Sequence, residues 1–340
     1  MAQTTTPQTP ANAPVRIADI KCKICGNSAG NGVHIAKEMM VGLKEEFEYF
    51  ECSQCKCLQL SEIPEDMDKY YPKDYYSYQK LNFATKNKIE LFLKRQRSKH
   101  FMGLPNLLGS LVAKIFGQPT FFEWLSLCQA TPQSRILDVG CGSGQLLHYL
   151  YNEGFSNLTG ADPYLDQDTF FTNGFNVYKK DLDALDGEFD LILFHDSFEH
   201  IEDQLGTLQQ AAQKLATNGA ILLNIPLSSS YLWREYGTNW AHLDAPRHFF
   251  LHTPKSVDTL VEKVGLRVDQ TLFNAVAFQF MASEQYVRGI PLNDPSSFLN
   301  GIEDSIFTAG QVKEFDQKAI EINAAEDSDA AIFYLRKIDK

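Results

Sequence analysis

From residue 134 onward, short apolar runs bounded by turn formers alternate with segments whose apolar positions recur at helical spacing. The runs read as buried strands and the periodic segments as helices. The pattern predicts strands at 135–139, 158–161, weakly at 176–178, then at 189–194, 219–225, 266–273 and 331–338. Helices fall at 145–152, stopped by Gly154, at 204–216, and at 256–264 with Pro254 near the start. Residues 275–325 also read as helical. This alternation implies a parallel sheet covered on both faces: an α/β, Rossmann-like, doubly wound domain over 131–340. Residues 228–253 break the rhythm with a long, aromatic, His-rich segment, anchored by Trp233, Trp240 and Phe249 and therefore functional rather than disordered.

The chain ahead of this domain is built differently. Residues 76–130 read as helices joining two parts. Their 80–100 stretch carries seven Lys or Arg against one acid, Glu90, and an apolar run broken by Gly103, Pro105, Gly109 and Gly117 follows. The basic face is either a solvated linker or a peripheral contact with an anionic membrane through 80–122. Residues 17–75 hold five cysteines, many turn formers and little apolar sequence, so that module needs a staple. Residues 1–16, rich in Thr, Pro, Gln and Ala, read as a disordered tail without the features of a signal peptide.

Charge sharpens the functional classes. The formal net charge is −12, a field that repels phosphate backbones and argues against a nucleic-acid partner. No apolar stretch reaches the roughly 18 residues of a membrane span. With no secretion signal, the seven cysteines suit a reducing, cytoplasmic setting and metal rather than disulfides. Cys22-x-x-Cys25 and Cys52-x-x-Cys55, with 26 residues between them, present four thiolates to one tetrahedral zinc. Four thiolates leave no position for water, so the zinc is structural, and its binding would supply folding free energy. Cys57 is a spare or an alternative ligand. A redox pair and a nucleic-acid-binding ribbon are the competing readings.

Asp138-Val139-Gly140-Cys141-Gly142-Ser143-Gly144 lies between the first strand and its helix. Glycines there admit positive φ and let a ligand lie on bare backbone. The spacing is Gly-x-Gly-x-Gly, whereas a dinucleotide site has Gly-x-Gly-x-x-Gly, and the third position of that pattern is Gln145. Asp138 would repel a pyrophosphate but suits a ligand carrying an ammonium and a sulfonium. Asp162, 24 residues on and closing the second strand, can take both hydroxyls of a ribose. Asp181, after the third strand, is placed for an adenine amino group. Cys141, in the loop, and His195, at the end of the fourth strand, complete the candidate cofactor set.

Residues 136–144, with 189–194 followed by Ser197-Phe198-Glu199-His200-Ile201, and 218–226, resemble the first, fourth-strand and fifth-strand motifs of the class I methyltransferase superfamily. The resemblance covers roughly residues 130–270 and implies S-adenosylmethionine as methyl donor. Paired N-terminal cysteines, a Tyr-rich stretch at 70–76 and this core also resemble the nucleotide-sugar C-methyltransferases. That likeness implicates His200 and, in Asp244-Ala245-Pro246-Arg247-His248, His248; Arg247 stands where that family has Glu. The chain also ends before the further C-terminal domain of that family. The Asp-x-Pro-Arg-His stretch resembles instead a broad set of methyltransferases encoded among polysaccharide and surface-glycan enzymes.

A sugar hydroxyl is a poor nucleophile until a base takes its proton, and His is the usual base. His195 and His200 flank the fourth strand, and His242, His248 and His252 lie in 228–253, so both groups open at the carboxyl edge of the sheet. The expected function is methyl transfer to a hydroxyl of a sugar, nucleotide-sugar or glycan, with His248 as base or acceptor clamp, His200 as second candidate and Asp244 orienting. Arg247 either holds a phosphate or carboxylate of the acceptor or forms a structural ion pair. A small non-sugar acceptor, C-methylation of a nucleotide sugar, and a catalytically inactive zinc-ribbon adaptor that binds S-adenosylmethionine are the alternatives. If the module closes the acceptor pocket, Tyr75 and Tyr76 would reach it.

Overall fold

The computed structural model describes residues 12–71, 87–119, 121–171 and 174–338. Tyr75, Tyr76 and the first part of the basic stretch lie outside the described residues.

The N-terminal module is an antiparallel meander: β1 (Arg16–Ala18), β2 (Asn31–Lys37), β3 (Glu46–Glu51) and β4 (Leu58–Leu60). Ordered structure begins inside the expected tail, because Val15 N–H donates to Val33 O at 2.7 Å and Arg16 pairs with Val33 along the β2 edge. Three helices then fill the expected helical span: α1 (Lys88–Phe101), α2 (Leu107–Phe116) and α3 (Phe122–Leu127). Asn87 and Asn106 cap the first two through their side chains.

The large sheet is built from β5 (Arg135–Val139), α4 (Gln145–Glu153), β6 (Asn157–Ala161), β7 (Thr169–Phe170), β8 (Phe175–Tyr178), β9 (Phe189–His195), α5 (Gln204–Lys214) and β10 (Leu215–Pro226). The chain continues through α6 (Tyr231–Tyr236), β11 (Phe250–Leu251), α7 (Pro254–Glu262), β12 (Leu266–Phe273), α8 (Ala277–Val287), α9 (Ala309–Ala324) and β13 (Ala330–Lys337). Eight strands lie in the order β12-β13-β10-β9-β5-β6-β8-β7. The five central strands are parallel, while β13 enters antiparallel to both β10 and β12, and β7 is antiparallel to β8. The expected parallel sheet is therefore a mostly parallel one with reversed edges. The span 275–325 is helical only at its two ends, since residues 288–308 with Gly289, Pro291, Pro295 and Gly301 cannot carry a regular helix. No helix among the described residues is long and apolar enough to cross a membrane.

From β5 the chain winds outward through β6 and β8, then returns to place β9 on the other side of β5. The switch point between β5 and β9 opens a crevice at their carboxyl ends, where ligands bind in such sheets.

The module is not a separate bead. The short strand β11, from the His-rich segment, adds to the module's sheet beside β4, pairing Phe250 with Gln59 and Leu251 with Leu58. Apolar packing is continuous across the junction: Leu58 and Leu60 of β4 share a cluster with Trp233, Trp240 and Leu243 of the segment. The His34 ring meets the Trp233 ring edge-on at 5.2 Å. A turn of the module also docks near the C-terminal part, where Met39 O accepts from Leu292 N–H and Met40 O from Asn293 N–H.

Candidate active site

The glycine loop leaves β5 in the conformation its residues predict. Gly140, Gly142 and Gly144 have φ of 73°, 51° and 86°. A Cβ on Gly140 would sit 2.6 Å from Ser197 Cβ, so any other residue there combines strain with a clash against the segment after β9. Asp138 and Asp162 are both buried beside the loop. Asp162 accepts from Gly142 N–H at 3.0 Å and from Tyr164 N–H at 2.9 Å, which fixes the loop on the end of β6. Burial, then Asp162 and Asp196, push the Asp138 carboxyl up to about 8. Among the described residues no salt bridge involves Asp138 or Asp162, so this pair of buried acids has no protein counter-cation. That is a cradle for a cationic ligand: bare backbone on one side, two acids on the other.

The other predicted cofactor residues are placed unequally. Cys141 is part-buried in the loop, and its Sγ occupies the space a Gly160 side chain would need. His195 ends β9 half-buried, its ring against Trp124 and Phe121 at 5.1 and 5.9 Å and its Nδ1 3.3 Å from Asp196. Asp181 lies exposed beyond the carboxyl end of β8.

Two histidines from the segments that follow β9 and β10 come together beyond the carboxyl ends of those strands. His200 and His248 meet edge-on with ring centroids 4.7 Å apart. His248 Nδ1 lies 2.7 Å from His242 O, and His200 Nδ1 lies 2.8 Å from Arg247 O. A carbonyl only accepts, so in each ring Nδ1 carries the hydrogen and Nε2 keeps the lone pair. Burial, then the neighbouring His200, lower His248 to about 3, and burial lowers His200 as well, so both rings are neutral at pH 7. Glu199 Oε1 and Asp244 Oδ2 stand 3.9 and 3.7 Å from His248 Nε2. Burial and Asp196 push the Glu199 carboxyl well above the usual range, and its Oε2 is buried without a hydrogen-bond partner.

Arg247 does not face this crevice. It is fully buried, with Nε and Nη2 on Asp244 and Nη1 on Tyr70 O at 3.0 Å and Glu38 Oε1 at 3.4 Å. The idea that it holds an acceptor phosphate is thereby corrected to the structural ion pair. Asp244 is likewise the partner of Arg247 more than an orienter of His248: burial alone would raise its carboxyl, but the guanidinium outweighs that and holds it at about 2. Arg247→Leu leaves Glu38 and Asp244 buried without their cation. It should cost about 3–5 kcal/mol of stability, read as a lowered urea midpoint.

His252 is structural: fully buried, it is held by Ser256 Oγ and Gln204 Oε1, both at 2.9 Å. His242 pairs with Asp329 Oδ2 at 3.1 Å, the same carboxylate that accepts from Trp240 Nε1. The residues missed from sequence are Glu38, Asp196, Glu199 and Tyr71. Asp196 has φ of 52°, accepts from Asn224 Nδ2 at 2.7 Å and raises the carboxyls of both Asp138 and Glu199 by its charge. Tyr71 places its hydroxyl 3.3 Å from His200 Nδ1. An acid directly before a candidate His, as in Glu199-His200, was the one local signal available.

In the module the four predicted thiols converge. Their Sγ atoms all lie within 4.8 Å of one another, with Cys22–Cys55 at 3.6 Å and Cys25–Cys52 at 3.5 Å. Thiolates on a tetrahedral zinc lie about 3.8 Å apart, given Zn–S near 2.3 Å. Each knuckle has the same turn: Gly26 N–H donates to Cys22 O and Lys56 N–H to Cys52 O, with φ of 83° and 62° at the turning residues. Backbone N–H groups of Cys25 and Cys55 point at the sulfurs of Cys22 and Cys52, where they would steady the negative charge of thiolates. Cys57 is buried with its Sγ toward Leu58 O and stands outside the cluster.

Residues 87–271, more than half of the chain, match the family model described as a methyltransferase domain. Among solved structures, an S-adenosylmethionine-dependent methyltransferase from Mesorhizobium loti is similar at 15% identity and TM-score 0.40, covering 65% of this chain and 98% of that one. One from Archaeoglobus fulgidus is similar at 18% identity and TM-score 0.38, covering 65% and 100%. The cyclopropane synthase MmaA2 from Mycobacterium tuberculosis is similar at 15% identity and TM-score 0.40, covering 63% and 83%. No curated protein matches the sequence significantly.

Proposed function

Because the chain belongs to the methyltransferase-domain family and is an S-adenosylmethionine-dependent methyltransferase, we propose that its acceptor is a hydroxyl of a sugar, nucleotide-sugar or glycan, deprotonated by His248. The observation that carries this reading is the neutral, tautomer-locked His248, whose Nε2 lone pair faces Glu199 and Asp244 at the carboxyl edge of the sheet.

S-adenosylmethionine supplies an electrophilic methyl group on a sulfonium. The loop 138–144 would hold it, with Asp138 suiting its cationic groups and Asp162 its ribose hydroxyls. His248 Nε2 takes the acceptor proton. The new imidazolium is then stabilised by the ionised Asp244, 3.7 Å from Nε2, so a ring that is a weak base alone becomes a stronger one as charge develops. His200 is the second candidate and orients the neighbouring ring. Carboxylates and hydroxyls line this edge at Asp196, Glu199 and Tyr71, a wall suited to a polyhydroxylated acceptor rather than to an apolar one. In the module, Cys22, Cys25, Cys52 and Cys55 would hold a structural zinc.

The test is transfer of a deuterated methyl group to a panel of nucleotide sugars and short glycans beside phenolic and quinone acceptors, read by mass spectrometry. Methylated sugar products support the proposal; turnover confined to the phenolic set overturns it.

Cofactor binding should also move a proton. Asp138 is protonated at pH 7 in the free protein, and an arriving cation favours its ionised form, so the proton leaves. Calorimetry at pH 7 in buffers of different ionisation enthalpy should show proton release on S-adenosylmethionine binding. The release should fade above pH 9 and be lost in Asp138→Asn.

A further inference from the structure

The hairpin α1–α2 is amphipathic the wrong way round for a soluble protein. In α2, Leu107, Leu108, Leu111 and Ile115 follow helical spacing on one stripe, and all are exposed, Leu107 to 94%. The small residues face inward instead. Gly109 packs so closely on α1 that a Cβ there would stand 2.1 Å from Gln96 O, and Val112 is buried on the same side. Leu104 in the connecting turn and Phe116 at the end of α2 extend the apolar strip, and Ile89 and Phe92 of α1 are exposed as well. Contiguous exposed apolar surface of this kind marks a contact.

Charge identifies the partner. The described residues of the hairpin, 87–119, hold six Lys or Arg and one acid, in a chain whose net charge is −12. Arg97 pairs inward with Glu153 of α4, and Arg95 lies over the Tyr151 ring, so these two fasten the hairpin to the catalytic domain. Lys88, Lys99 and Lys114 remain exposed, and the single acid, Glu90, is paired with Lys94. An apolar strip flanked by free lysines on an otherwise acidic protein is complementary to a membrane surface rich in anionic lipid. The apolar side chains enter the acyl boundary while the lysines stay at the headgroups.

We propose that α1–α2 is a membrane-docking hairpin that seats the enzyme on anionic lipid. The test is co-sedimentation of the full chain with vesicles of phosphatidylglycerol and phosphatidylcholine, and with phosphatidylcholine alone, at low and high salt. Wild type should sediment with the anionic vesicles at low salt, at least tenfold less with the neutral ones, and less as salt rises. The Leu111→Glu/Ile115→Glu variant should bind anionic vesicles at least tenfold more weakly while keeping its affinity for S-adenosylhomocysteine, which shows that it is folded. Wild type left in the supernatant, or a variant that sediments as wild type does, overturns the proposal. A wild-type dimer that the double substitution splits, without vesicle binding, assigns the strip to a second copy and also overturns it.

Discussion

Cys52→Ser should yield a chain that no longer retains zinc and no longer transfers methyl groups, although every residue of the glycine loop is intact. The four sulfurs close a module whose own apolar content is small, so under the proposed zinc site metal binding would be most of its folding free energy, on the order of 10 kcal/mol in comparable small zinc domains. In most two-domain proteins that loss would stay local. Here β11 is a strand of the module's sheet, and it lies directly after Arg247, His248 and Phe249 in sequence. Tyr49 Oη donates to the His248 carbonyl at 2.9 Å, Tyr70 O takes an Arg247 N–H, and Glu38 closes the Arg247 ion pair. Melting the module therefore releases the loop that sets the His248 ring. Metal content by mass spectrometry, thermal melting and turnover should fall together. A metal-free variant that keeps full activity would show that the module only decorates the catalytic domain.

His248→Ala should lower kcat by about 10²–10⁴, the range for loss of a positioned general base, while leaving affinity for S-adenosylhomocysteine unchanged. The split matters because the proposal gives His248 to the acceptor: its polar partners are His242 O, Glu199 and Asp244 rather than residues of the glycine loop. His200→Ala should cost less, since that ring orients its neighbour and shares the Arg247 carbonyl rather than facing both carboxylates. Equal losses of kcat and cofactor affinity would mean that the substitution had merely loosened the crevice.

The catalytic sheet was legible because its central strands are buried on both faces and so appear as short, mostly apolar runs, Arg135–Val139 and Phe189–His195 among them. The glycine loop and the two acids at the ends of β5 and β6 were legible for a similar reason: they follow those strands at fixed spacing. The module's strands were not. Glu46–Glu51 reads as acidic and aromatic rather than apolar, and β11 is two residues long, with a partner that lies far away in the chain. The role of Arg247 was left undecided for the same physical reason. Whether a buried guanidinium is free for a ligand depends on Glu38, 209 residues away, and on the Tyr70 carbonyl, which no local pattern reveals. Glu199 lay within a recognised motif, but its unpartnered, buried oxygen became visible only when the fold enclosed it.

The central claim is that the crevice between β5 and β9 holds S-adenosylmethionine through the glycine loop and its buried acids, next to an acceptor site. The most direct measurement is calorimetric titration of zinc-loaded protein with S-adenosylmethionine and S-adenosylhomocysteine, beside Asp162→Ala. Micromolar binding that disappears in the variant is the predicted result. Absence of binding by folded wild-type protein, or binding that Asp162→Ala leaves untouched, would contradict it.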